Sequence, residues 1–118
     1  MKSFLFVMQS AAYKGNKVQE VLDAVLISAA FDQQVSLLLL DDAVFHLKNN
    51  QQTSSLAVKD ISAIYRSLEL YDIDNIYIES ESLVQRGLSL ADLLIPTKII
   101  NRSQVAELLQ AYDVVLGG

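Results

Sequence analysis

Three features of this sequence predict a small α/β domain: short apolar runs of strand length, amphipathic helical stretches between them, and capping or turn residues at the junctions. The runs fall at 3–9, 35–40, 75–79, 98–100 and in the closing "DVVLG". Strands that alternate with helices are joined by right-handed crossovers. The expected architecture is therefore a three-layer, flavodoxin-like sandwich around a mainly parallel sheet of about five strands, with helices on both sides. Its 118 residues, 52% of them hydrophobic, fit one domain over 1–118 that buries about two thirds of the surface exposed by the unfolded chain.

Each element has its own signature. "SFLFVMQ" is almost continuously apolar, as a strand covered on both faces requires. After the loop "SAAYKG", Asn16 with Gln19 has capping-box spacing. Val18, Val21, Leu22, Val25, Leu26 and Ala29 then share one helical face, and this helix should end near Phe31. "VSLLLL" is the second strand, closed by Asp41 and Asp42, and "AVFHL" suits one helical turn before the polar loop 48–55. A helix over about 56–70 would align Ala57, Ile61, Ile64, Tyr65 and Leu68. "NIYIE" is the third strand, followed by a short helix "SLVQRG", a loop with the only proline, Pro96, and the strand "KII". Asn101 and Gln104 repeat the capping pattern ahead of a helix with Val105, Leu108, Leu109 and Tyr112 on one face.

Composition narrows the function. A net charge of −5 disfavours direct nucleic-acid binding, which relies on Lys and Arg at phosphates. The segment Glu69 to Glu81 carries five acidic residues and no basic one. Apolar runs such as Phe4 to Met8 and Leu37 to Leu40 fall far below the roughly 20 residues of a membrane span. Gln9 breaks the first run too early for a secretion signal, so a cytoplasmic location away from membranes is expected. A mean hydropathy of +0.30 suggests that some apolar surface is buried against other subunits. There is no cysteine, which removes disulfides, thiolate metal sites and thiol chemistry from this chain.

The usual chemical motifs are weak. "SAAYKGNK" has one glycine where phosphate loops and dinucleotide fingerprints need more, so no cofactor is expected. Asp41 and Asp42 resemble a magnesium pair, but strand termination and turn solvation explain them better. His46 is the sole histidine and has no nucleophile beside it, which favours a surface or interface place over metal binding or base catalysis. Ser80 and Ser82 lack the nucleophile-elbow glycines and suit helix N-capping.

The order of these parts, with "FLFVMQSAAYKG", "VLDAVLISAAF", "LLLLDDAVFHL", "LELYDIDNIYIESESLVQRGL" and "AYDVVLGG", resembles the DsrE/DsrF/DsrH-like family of sulfur-relay proteins. "DDAVF", "LYDI" and "SLVQRGL" are its most specific stretches. The resemblance implies a DsrE-like fold and a subunit at the TusC (DsrF-like) place of a hetero-oligomer. In that assembly TusB-like and TusD-like subunits complete a dimer of heterotrimers, which passes persulfide sulfur to a TusE-like acceptor for 2-thiolation of the tRNA wobble uridine. Counting back from "QRG", the family's sulfur-carrying cysteine falls on Glu79. A persulfide relay needs a thiolate that attacks, is attacked and leaves, and a carboxylate does none of these. The resemblance thus implies a noncatalytic structural subunit, with Phe45, His46 and Ser80 as interface candidates. Three alternatives stay open: a DsrEFH-type subunit of dissimilatory sulfur metabolism, a stand-alone module for a small anionic ligand, and a magnesium enzyme using Asp41 and Asp42.

Overall fold

The computed structural model of the chain describes residues 3–9, 17–31, 34–47, 65–71, 73, 75–93 and 97–117. Five strands, β1 (Ser3–Met8), β2 (Gln34–Leu39), β3 (Ile76–Glu79), β4 (Lys98–Ile100) and β5 (Val114–Gly117), form one sheet in the order β4-β3-β2-β1-β5. Every neighbouring pair is parallel. Among the described residues the helices include α1 (Lys17–Ala30), α2 (Ser80–Gln85) and α3 (Val105–Gln110), and residues 65–67 are also helical. Short 3-10 turns cover Asp41–Leu47, Leu68–Tyr71, Leu90–Asp92 and Arg102–Gln104. The mainly parallel five-stranded α/β sheet expected from the sequence is present.

The steps from β1 through β4 all move one way, so right-handed crossovers bring their connecting elements to one face. The core on that face joins Leu22 and Val25 of α1, Tyr65, Leu68, and Leu83 of α2 to Phe6, Met8, Leu37, Leu39 and Ile78 of the strands. Burial pushes the Tyr65 hydroxyl pKa up. From β4 the chain returns across the sheet to β5, which sends α3 to the other face. There Leu5 and Leu38 are buried, and Tyr112 stands near Ser36, Tyr77 and Lys98.

Several boundaries differ from the sequence reading. The α1 stripe holds from Val21 to Ala29, while its Asn16 cap and the loop before it lie outside the described residues, as do loop 48–55, Pro96 and residues 56–64 of the expected second long helix. That helix is described from Tyr65 and tightens into a 3-10 turn at Leu68–Tyr71. The α2 helix starts at Ser80, two residues earlier than expected, which puts Ser80 and Ser82 inside its first turn. Gly87 ends it with φ 68°, and its N–H bonds to the Val84 carbonyl while the Leu88 N–H bonds to that of Leu83. This is a Schellman ending, in which glycine takes the left-handed position without steric cost. At α3 the Gln104 side chain accepts the Asn101 N–H at 2.8 Å, as the capping pattern implied. None of the α3 residues is buried, because six residues are under two turns and seat only part of an apolar stripe.

Candidate functional site

Three chain segments meet at the carboxyl ends of β2, β3 and β4, where open α/β sheets usually place chemistry. Glu79 is the last residue of β3, and its register partner in β4 is Ile100. The β3 backbone runs straight into α2, so Glu79 occupies the N-cap position in an extended conformation but makes no side-chain cap bond. Its side chain instead turns inward and is only 4% exposed.

Two donors meet one Glu79 oxygen. The Ser82 hydroxyl donates to Oε1 at 2.5 Å, and the Arg102 guanidinium donates to the same atom at 3.0 Å. Ser82 Oγ in turn accepts the Asp41 backbone N–H at 2.9 Å. This chain of bonds ties the end of β2, the start of α2 and the turn after β4 to one buried carboxylate. Burial pushes the Glu79 carboxyl pKa up, but the hydrogen bonds from Arg102 and Ser82 and the guanidinium charge outweigh it and hold the group below the usual carboxylate range. The same contacts raise Arg102.

A second layer braces the first. Both Glu81 carboxylate oxygens accept the Arg102 backbone N–H, at 2.8 and 2.9 Å. The Ser80 hydroxyl lies 2.7 Å from Glu81 Oε1 and 3.1 Å from Asn101 Oδ1, with one proton to donate between them. The Ser80 hydroxyl and then the Arg102 N–H hold Glu81 below its usual pKa. On the opposite side Arg86 donates to Asp42 at 3.0 Å and to the Ser82 carbonyl at 3.3 Å. Asp41 itself has φ 51°, a left-handed conformation uncommon outside glycine but accessible to Asp. The N–H of this unusual residue is the one given to Ser82.

The arrangement determines what the residues can do. Ser82 is not activated as a nucleophile, since a carboxylate of lowered pKa is a poor base toward a hydroxyl. The expected N-capping by Ser80 and Ser82 is also replaced: Ser80 serves Glu81 and Asn101, and Ser82 links Glu79 to Asp41. Asp42 is drawn into an ion pair with Arg86, and Asp41 contributes its backbone. Among the described residues no group of three or more His, Asp or Glu side chains is placed to hold a metal ion. A largely open pocket of about 270 Å³ lies beside the turn after β4, lined by Ile100, Gln104, Glu107, Leu108 and Ala111.

Phe45 and His46 lie on the 3-10 turn after β2, which packs against α2, where Ser80 is the first residue. Phe45 and Ser80 are half-buried, and the His46 side chain lies outside the described part. Sequence reasoning missed Arg102 and the bracing role of Arg86. Arg102 follows a recognisable strand and cap, but its meeting with Glu79 depends on β4 lying beside β3, which spacing along the chain does not reveal.

Similarity to known proteins fits this fold. Among solved structures, the YchN protein from E. coli superposes with a TM-score of 0.79 at 18% identity, and the MTH1491 protein from Methanobacterium thermoautotrophicum with 0.77 at 12%. Each match covers 100% of both chains and speaks to the fold. In sequence the chain is 32% identical over 115 residues to the Protein TusC homolog of Pseudomonas aeruginosa, covering 98% of this chain and 97% of that one. It is 35% identical over 129 residues to the intracellular sulfur oxidation protein DsrF of Allochromatium vinosum, covering 98% and 95%. Among the described residues no helix is long and apolar enough to cross a membrane. Residues 2–117 match the DsrE/DsrF-like family, and with this strand order and these full-length relatives the chain belongs to it.

Proposed function

We propose that this chain is a noncatalytic, structural subunit of a cytoplasmic sulfur-relay complex. The observation that carries the reading is the lack of any cysteine combined with a buried carboxylate at position 79, the position that family resemblance assigns to the sulfur carrier. Sulfur transfer requires a thiolate nucleophile and a sulfur leaving group. Glu79 supplies neither, and its oxygen is committed to Ser82 and Arg102. The relatives named TusC homolog support a TusBCD-type assembly with TusB-like and TusD-like subunits, serving a TusE-like acceptor and tRNA wobble-uridine thiolation. Exposed apolar side chains at Leu70 and Val84 suit a protein that works inside an assembly.

The test is coexpression with the neighbouring homologous subunits followed by native mass spectrometry, with radiolabelled sulfur then supplied by a cysteine desulfurase. A mixed complex whose label resides on another subunit is expected. Label on this chain, or failure to associate with any cysteine-bearing homologue, would overturn the proposal. The 35% identity to DsrF favours a second reading, a subunit serving dissimilatory sulfur oxidation. Growth on reduced sulfur that depends on this chain, with tRNA thiolation unchanged in its absence, would favour that context.

A further inference from the structure

Among the described residues Asp41 is the only one other than glycine with a left-handed backbone, at φ 51°. A side chain raises the free energy of that conformation, less for Asp than for most residues, so it persists where neighbouring contacts hold it. Asp41 stands at a junction. Before it, the Leu40 N–H donates to the Met8 carbonyl at 2.9 Å as the sheet ends; after it, the Ala43 N–H donates back to the Leu40 carbonyl at 3.0 Å and opens the turn Asp41–Leu47. The Asp41 N–H joins neither pattern and goes to Ser82 Oγ.

That bond is conditioned by two others. A serine hydroxyl has one proton, so Ser82 receives the Asp41 N–H on a lone pair while its proton points to Glu79 Oε1. Glu79 thus fixes which side of the hydroxyl faces Asp41. The carboxylate is in turn held by Arg102 Nη2 at 3.0 Å, and bonds linked in series away from water strengthen one another. Ser82 and Glu79, the middle of the series, are buried. Its far end is not, because the Arg102 side chain is 51% exposed. The Arg102 backbone N–H is tied separately to Glu81, so the guanidinium can turn outward while its backbone stays in place. We propose that Arg102 is the surface handle of a buried relay, through Glu79 and Ser82 to Asp41, that sets the conformation of the turn Asp41–Leu47.

The relay acts on Asp41 without detaching the turn. Asp42 remains paired with Arg86, and Arg86 also holds the Ser82 carbonyl, whatever Arg102 does. Withdrawing the Arg102 guanidinium therefore loosens Asp41 and leaves the turn packed on α2. An anionic group that pairs with Arg102 only in its outward position favours the loosened turn, since a ligand shifts an equilibrium by its difference in affinity for the two states. The coupling belongs to the isolated chain and is independent of the sulfur-relay proposal.

Amide hydrogen exchange, followed by NMR on the full chain in wild type, Ser82→Ala, Arg102→Ala and the double variant, tests it. The Asp41 amide is read relative to those of Leu40 and Leu88, which bond to the Met8 and Leu83 carbonyls and report general stability. On that relative scale, Asp41 should exchange at least about tenfold faster in Ser82→Ala and at least about threefold faster in Arg102→Ala. Because Arg102 acts through Ser82, the double variant should match Ser82→Ala alone, whereas independent contributions multiply. An Asp41 amide no faster than Leu40 and Leu88 in Arg102→Ala, or multiplied effects in the double variant, would each overturn the proposal. Should Ser82→Ala fail to fold, Arg102→Ala decides alone by the same comparison of Asp41 with Leu40 and Leu88.

Discussion

At the level of single residues, Glu79 is a structural anchor whose chemistry is spent on holding its neighbours. Replacing it with Ala should cost about 1–3 kcal/mol, since the buried Ser82 hydroxyl loses a charged acceptor. Glu79→Gln should cost less, because an amide oxygen of the same reach still accepts from Ser82. Urea denaturation at neutral pH distinguishes the two, and equal, negligible losses would refute the anchoring role. The lowered pKa also sets a pH dependence. A group whose folded pKa lies below its unfolded value contributes stability that is fully present above the unfolded pKa, near 4.5, and lost as pH falls through the folded value. Stability of the wild-type chain should thus decline below about pH 4.5, and Glu79→Gln should flatten that decline. An identical acid limb in both proteins would exclude Glu79 as its source.

Among the elements, α2 shows local sequence and tertiary contacts acting together. Its C-terminal end is legible in the sequence, since Gly87 after "LVQR" is the residue a left-handed helix ending requires. No atom lies within 4 Å of a Cβ built at Gly87, so Gly87→Ala meets only the backbone penalty. The expected loss is about 1 kcal/mol in chemical denaturation, with Gly87→Asn milder because Asn tolerates the left-handed region better. An Ala variant as stable as wild type would contradict the Schellman ending. The start of α2 is less legible. Serines next to a strand end suggest caps, but Ser82 turns toward a carboxylate and an N–H from two other segments, and burial makes those bonds more valuable than a local cap.

For the whole molecule, the sheet order explains how distant stretches of chain form one site. β2, β3 and β4 are adjacent, so their carboxyl ends bring Asp41, Glu79 and Arg102 together across gaps of 38 and 23 residues. The subunit contacts proposed above also belong to this scale. Leu70 and Val84 are 84% and 77% exposed, so Leu70→Glu and Val84→Glu should change the stability of the isolated chain by less than about 0.5 kcal/mol. At least one should lower the yield of mixed complex on coexpression with the cysteine-bearing homologues. Undiminished complex with both charges in place would remove these side chains from the subunit interface.

The sequence alone determined the alternation of strands and helices, the apolar stripe of α1, the Asn101 and Gln104 capping pair and the lack of thiol chemistry, because each rests on residue type and short-range spacing. It also located Glu79 at a strand end. Only the tertiary structure decided that Glu79 is buried, ionised and clamped by Ser82 and Arg102, and that β5 lies beside β1 at the end of the strand order. Those outcomes depend on strand order and on which side chains meet across the sheet, and parallel crossovers make such meetings long in sequence and short in space.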